Sequence, residues 1–414
     1  MIIEQRIKNF EKLGFGMFVH FGLYSVLGMG EWSQFARQIP WDEYLKTTDT
    51  FCPNENWAEE LVLAAKDAGC RYITLTTRHH DGFSLYDTCG LNTYDAPHVC
   101  GRDLVKEFVD ACNKHGIVPF FYHTLLDWHE ESYKTDFKAY LQYLRKSVEI
   151  VCKNYGKIGG IWFDGMWDRP DDDWEEDALY GLIRSYQPDA MIINNTGLFQ
   201  RGALGHIELD SVTFERGRPQ PINLADSPKY IASEMCETLA SHWGYTENDF
   251  HFKSLEHLIK TFAICRRYRS NFLLNVGPKA DGSLRTIEKG ALEVLGQWSR
   301  RNDEALHDPA PTGIEIAGKP EHFLLQNGNA YYLFVNDLNI GGFEHVATNT
   351  AKYTPDNIFT LDKRVKAACW LDSGEPLDFT QEGSQVNIQA KQYKYGEDHV
   401  VRIAKIQVYP RKIL

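Results

Sequence analysis

No run of about 20 apolar residues interrupts this 414-residue chain, so no helix of it is expected to cross a bilayer. Its first residues, Met1-Ile2-Ile3-Glu4-Gln5-Arg6, lack the apolar stretch of a secretion signal. That sets the expectation of a cytoplasmic protein, or of a secreted one if a leader has been removed. Nine cysteines, an odd number, form no CxxC pair, which argues against a disulfide scaffold and against a thiolate zinc site. Cys70, Cys152 and Cys265 sit in apolar segments and read as small core residues. Neither GxGxxG nor GxxxxGK[ST] occurs, so a nucleotide-binding loop is not supported, and the absence of HExxH removes the plainest metal signature. No metal and no cofactor are expected. Basic residues are in deficit, 44 Lys+Arg against 57 Asp+Glu, and the net charge of -13 argues against a nucleic-acid platform.

What is present is a folded chain, with 43% hydrophobic and 13% aromatic residues. Its length favours two domains. Over the first three quarters, short β-branched and aromatic runs alternate with helical periodicity. Strands are expected at 14–19, 71–77, 117–123, 159–163, 189–193, 209–214, 230–234 and 271–276. Helices are expected at 57–68, 103–115, 134–153, 254–268 and 284–300. Eight strands separated by helices or long loops favour an α/β fold of the closed (β/α)8 TIM-like kind over residues 1–308, with a doubly wound sheet as the arrangement that periodicity also permits. Around Asp308-Pro309-Ala310-Pro311 the texture changes. HFLLQ, AYYLFVN, KAACWLD, QVNIQA and VVRIAKIQVY follow without long helical patterns, so residues 312–414 read as a C-terminal β-sandwich with Trp370 in its core.

A barrel does its chemistry where the carboxyl ends of its strands meet their loops. His20, His79, His80 and His123 all fall at such exits, as does Asp164 in Ile161-Trp162-Phe163-Asp164-Gly165. Neutral imidazoles both donate to and accept from sugar hydroxyls, so the histidines need no metal to make chemical sense. Asp164 is the strongest single candidate, a carboxylate projecting from a strand tip and suited to nucleophilic attack if a second carboxyl protonates the leaving group. Glu215 would emerge at the same mouth. Glu234, ending another strand-like run, is its rival as acid/base residue. Glu31 suits substrate hydrogen bonding, Trp32 and Trp162 suit the walls against a sugar ring, and Trp128 suits an outer wall. Phe83 or Trp162 could meet an apolar group on the ring.

VHFG at 19–22, EW at 31–32, RHHDGF at 78–83, IWFDG at 161–165, EMCETLASHWGY at 234–245 and NFLLNVGP at 271–278 together resemble the α-L-fucosidases of glycoside hydrolase family 29. The resemblance covers the whole barrel and extends to the β-rich C-terminal region. It implies exo-acting hydrolysis of terminal α-L-fucosides with retention, through a covalent glycosyl-enzyme and without a metal, on a fucosylated oligosaccharide or glycoconjugate. Asp164 then resembles the nucleophile, and His20, Glu31, Trp32, His79, His80 and Trp162 the sugar-binding shell. Tyr122 and His123 stand where the family often has paired tyrosines, which implies a sugar contact for His123. Glu215, in FERGRP, resembles the loop that supplies the acid/base residue in some members, with Glu234 as the fallback. Asn194-Asn195-Thr196 departs from an NDR-like segment, leaving Arg201, Arg216 or Arg218 to supply the missing cation, or a different substrate to be accepted. A same-fold glycosidase of altered sugar specificity and a catalytically inactive carbohydrate-binding protein are the alternatives. Association into a homo-oligomer is left open.

Overall fold

In the computed structural model, eight short parallel strands close on themselves: β1 (Phe15–Val19), β2 (Tyr72–Arg78), β3 (Val118–Thr124), β4 (Gly160–Asp164), β5 (Met191–Asn194), β6 (Ser211–Thr213), β7 (Ala232–Thr238) and β8 (Asn271–Val276). The structure describes residues 3–196, 198–225, 227–341 and 353–410, so 342–352 and 411–414 of the expected C-terminal domain lie outside it. β1 pairs with β2 on one side and β8 on the other, which makes the barrel closed and excludes the doubly wound sheet. Strand side chains alternate between two faces, and in a barrel one face fills the interior. Tyr72 shows how that filling is arranged. A Cβ on Gly16 would lie 2.4 Å from the Tyr72 ring, so only glycine at 16 lets that ring cross the interior.

The helices start and stop where local chemistry dictates. Asp103 and Ser254 accept hydrogen bonds from the backbone N–H of Lys106 and His257, and Gly69 and Gly116 end their helices in the left-handed region. Two of the longer helices carry no expectation from sequence: Glu176–Tyr186, between β4 and β5, and Gln5–Leu13. The second packs Ile7 and Phe10 against Tyr72, Phe120 and Met191. Arg6, at its start, meets the buried Asp210, which Arg184 and Lys229 also reach. β7 runs farther than the expected 230–234, a shift that matters for Glu234 below.

The chain divides into two compact units, Met1–Lys253 with Ser270–Glu293, and Ser254–Arg269 with Val294–Leu414. The expected boundary near residue 310 marks the change from helix to strands, but the second unit also contains the helix Leu255–Arg267 and most of Thr286–Leu306. Within that unit β9 (Ala310–Pro311), β10 (Phe323–Asn327), β11 (Ala330–Val335), β13 (Val365–Trp370) and β16 (Arg402–Val408) form one antiparallel sheet in the order β13-β16-β11-β10-β9. A second, β12-β15-β14, comprises Asp356–Thr360, Gln385–Gln389 and Phe379–Glu382. Leu333, Ile406 and Trp370 from the first share one buried cluster with Phe359, Val386 and Ile388 from the second, the signature of a sandwich.

Candidate active site

The carboxyl ends of the barrel strands surround a pocket of about 90 Å³, walled by Phe18, Trp32, Trp162, Trp243 and Tyr122, with Asp164 and Glu215 facing into it. Asp164 is the last residue of β4. Its backbone carbonyl accepts from Leu125 N–H at 2.7 Å, and Gly165 follows at φ +101°, where a Cβ would press within 2.9 Å of Leu126. The strand therefore ends in a turn that only glycine adopts without strain, and the carboxylate is held at its tip. Four groups address it. Tyr122 Oη donates to Oδ2, while Trp167 Nε1 and Asn195 Nδ2 donate to Oδ1, each at 3.2 Å. His80 Nε2 lies 3.5 Å from Oδ2. Burial alone would push this acid up, but the hydrogen bonds and field of His80, with those of Trp167 and Asn195, more than offset it and hold Asp164 below the ordinary carboxylate value.

Glu215 follows β6 and takes the opposite course. Burial first, and then the negative field of Asp164, push its carboxyl up to about 7. The two acids share one donor. Asn195 Nδ2 lies 2.7 Å from Glu215 Oε2 and 3.2 Å from Asp164 Oδ1, and its own Oδ1 accepts from Thr213 Oγ1 at 2.9 Å, which fixes the amide's orientation. Laid end to end, those contacts cap the distance from Asp164 Oδ1 to Glu215 Oε2 at about 6 Å, short of the separation of roughly 6.5–9.5 Å that inverting pairs need.

The histidines divide. His20 pairs through Nδ1 with Asn275 Oδ1 at 2.6 Å, and Asn275 Nδ2 donates to the Trp243 carbonyl, so the amide oxygen must face the ring and Nδ1 carries the proton. Burial lowers His20 to about 3, so the ring is neutral and its Nε2 is left as an acceptor. His79 also lines the pocket, is held well below its usual value by burial and the neighbouring histidines, and has no partner at Nδ1 among the described residues. His80 does not line the pocket: its Nδ1 pairs with Thr124 Oγ1 at 2.7 Å and its Nε2 is turned to Asp164.

His123 does not join them. Its Nε2 pairs with Ser147 Oγ of the helix Phe137–Asn154 at 2.7 Å, and its Nδ1 with the Thr124 carbonyl, so it faces away from the pocket and the expected sugar contact is corrected. The cause is strand alternation: Tyr122 points inward and its neighbour outward. Glu234 is likewise not at the mouth. It is the third residue of β7, accepts from Tyr72 Oη at 2.5 Å and Trp162 Nε1 at 2.9 Å, and lies within the barrel, where burial pushes it up to about 7. Glu31 is buried and accepts from Gly244 N–H at 2.7 Å, a bond that ties the loop after β1 to the loop after β7. Phe83 packs on Phe51 and Tyr94 rather than on the pocket. Arg78 of the same motif forms a buried ion pair with Asp127. Thr196 brings no cation, and Arg201 is turned to the carbonyls of Glu215 and Arg216. Arg216, in the left-handed region at φ +45°, lays its guanidinium 5.0 Å from the Trp243 ring. Trp243, Trp167 and Asn195 carry no expectation from the sequence. The only hint of Asn195 was its place within the segment that departs from NDR.

A family model described as Alpha-L-fucosidase matches residues 3–304. Tissue alpha-L-fucosidase from Bos taurus is 27% identical over 390 residues, covering 83% of this chain and 79% of its own. Among solved structures, alpha-L-fucosidase isoenzyme 1 from Paenibacillus thiaminolyticus superposes with a TM-score of 0.82 at 26% identity, covering 98% of this chain and 99% of that one. An alpha-L-fucosidase from Bacteroides thetaiotaomicron, described as a trapped covalent intermediate in complex with 2-fluoro-fucosyl fluoride, superposes at 0.81 over 99% and 97% of the two chains. At 22% identity that last likeness is one of fold.

Proposed function

Because the chain belongs to the alpha-L-fucosidase family, we propose that it is a retaining, exo-acting α-L-fucosidase and that Asp164 and Glu215 carry its chemistry. The observation that bears the weight is the pair of carboxyls joined through Asn195, close together yet pushed to opposite sides of the ordinary carboxylate value. Two nearby acids with divergent affinities for a proton are what a double displacement needs.

In the first step Asp164, ionised, attacks the anomeric carbon while Glu215, still protonated near neutral pH, gives its proton to the departing glycosidic oxygen. The C–O bond breaks, the leaving group departs as an alcohol, and an aspartyl ester remains. In the second step the now ionised Glu215 takes a proton from water, whose oxygen attacks the same carbon and releases Asp164. The bare Nε2 of His20 accepts from a ring hydroxyl, and His79 adds a second polar contact. Phe18, Trp162 and Trp243 offer apolar faces to the sugar and its methyl group. A fucosylated oligosaccharide or glycoconjugate is the substrate this reading names.

The test is the configuration of the first product, read by NMR before mutarotation. Release of the α anomer from an α-L-fucoside supports two displacements, whereas the β anomer would falsify the mechanism. Asp164→Ala should lower turnover by at least about 10⁴-fold, and azide should restore part of it as the β-fucosyl azide.

A further inference from the structure

The residue that follows the acid, Arg216, is exposed, and neither displacement step employs it. We propose that Arg216 is a positioning residue for Glu215: a guanidinium fixed over the pocket wall that stabilises the negative charge the acid acquires on giving up its proton. The proposal rests on the retaining reading above and adds to it a group that acts through Glu215.

An exposed arginine ordinarily samples many rotamers, but this one has a seat. Its Cζ lies 5.0 Å from the centre of the Trp243 ring, and its Nη2 donates to the Ser241 carbonyl at 2.6 Å. Both partners belong to the loop after β7, which other bonds hold in place. Asn275 Nδ2 donates to the Trp243 carbonyl at 2.7 Å, Gly244 N–H donates to Glu31, and Ser241 N–H donates to Asp249 Oδ2 at 2.8 Å. The arginine's own backbone is fixed as firmly. At φ +45° it takes a conformation uncommon for a residue with a side chain, and one that persists only where the surroundings over-determine it. Here its N–H donates to the Cys236 carbonyl at 2.9 Å, and Arg201 donates to the carbonyls of both Glu215 and Arg216.

The fixed charge stands where charge changes during the reaction. In the first step Glu215 passes its proton to the glycosidic oxygen and becomes a carboxylate; in the second it takes a proton from water and is neutral again. A cation beside it favours the carboxylate. Burial, and then the field of Asp164 on β4, push Glu215 up, and against them act the Asn195 hydrogen bond, the field of Arg216 and the weaker field of Arg201. The other titratable groups around it carry no charge near neutral pH: burial keeps Tyr122 on β3 and Cys236 on β7 protonated, and keeps His20 and His79 across the pocket neutral. At His20 the field of Arg216 adds to that burial, so the same guanidinium is felt on both sides of the pocket.

Two substitutions in the full chain separate charge from packing. Arg216→Met keeps the length of the side chain and removes its charge, whereas Arg216→Lys keeps a charge. For each, kcat/KM on a fucosylated oligosaccharide is followed against pH at low and high salt, with thermal melts to confirm folding. At low salt the alkaline limb, which belongs to Glu215, should rise by about half a unit in Arg216→Met and stay within about 0.2 unit of the unmutated enzyme in Arg216→Lys. At about 1 M salt the exposed charge is screened, so the limb of the unmutated enzyme should move up toward that of Arg216→Met and at least halve the gap. A merely structural role would lower the whole profile and leave its limb where it was. An alkaline limb unmoved by Arg216→Met, a shift as large in Arg216→Lys, or a gap indifferent to salt each overturn the proposal. Failure of the unmutated enzyme to release fucose at any pH is the separate result that would remove the fucosidase reading beneath it.

Discussion

Asn195 holds both acids through one nitrogen, so its removal should move the whole pH profile. In Asn195→Ala, Glu215 loses a 2.7 Å hydrogen bond that favours its charged form, and Asp164 loses one of four donor contacts, at 3.2 Å. A hydrogen bond to a charged acceptor contributes about 1.5–3 kcal/mol, and 1.36 kcal/mol corresponds to one pKa unit. Glu215 should therefore rise by about one unit or more from its position near 7, while Asp164, with three contacts left, rises less. Glu215 must be protonated in the first step, so kcat/KM falls as pH rises through its pKa. Asp164 must be ionised, so kcat/KM falls as pH drops through the lower value. The alkaline limb should then move from near 7 to about 8 or beyond, with the acid limb displaced upward by a smaller amount. The two limbs belong to the coupled pair, so the direction of both is the readout rather than either value alone. Profiles of kcat/KM on a fucosylated tetrasaccharide from pH 4 to 10, with thermal melts as a control for folding, measure this. An alkaline limb that stays put or moves down would refute the claim that this amide sets the proton affinity of the acid.

The remaining expectations bear on the same site and its support. Glu215→Gln should lose about 10²–10⁴-fold on substrates with poor leaving groups and far less on α-L-fucosyl fluoride, which needs no proton donor. Glu234→Gln should keep kcat within a few-fold, because Glu234 faces Tyr72 and Trp162 inside the barrel; a loss as large as that of Glu215→Gln would reverse the assignment. Asp210→Asn should lower stability by about 3 kcal/mol in urea melts, because it strands the cations of Arg6, Arg184 and Lys229. Despite its burial, Asp210 is held below the ordinary value by those cations, so its contribution is complete above the unfolded-state pKa and disappears as pH falls through the folded one; the deficit of the variant should shrink in acid.

All eight barrel strands were legible, because β-branched runs bounded by glycine and polar turns announce themselves locally. The positions of Asp164 and Glu215 at strand exits were legible too, the first after the apolar Ile161-Trp162-Phe163 and the second after the strand-like Leu209-Asp210-Ser211-Val212-Thr213-Phe214. What one sequence does not show is which face a residue takes. Tyr122 and His123 are neighbours in the chain, yet one lines the pocket and the other binds Ser147 behind the sheet. A one-residue difference in where a strand starts has the same effect, and β7's extension to Thr238 left Glu234 inside the barrel rather than at its rim. Asn195, Trp167 and Trp243 stayed hidden for another reason. Their positions are set by loops whose path depends on packing between distant segments, such as the bond from Gly244 to Glu31.

The clustering of indoles around the two pocket carboxylates gives the molecule a practical property. Trp32, Trp162, Trp167 and Trp243, four of the chain's ten tryptophans, line one small cavity, and Trp167 touches Asp164 directly. A large share of the intrinsic ultraviolet emission thus comes from the proposed sugar pocket, so an iminosugar titration should be visible as quenching or a wavelength shift in unlabelled enzyme. Affinity can be followed in the same cuvette as turnover, with no reporter group attached.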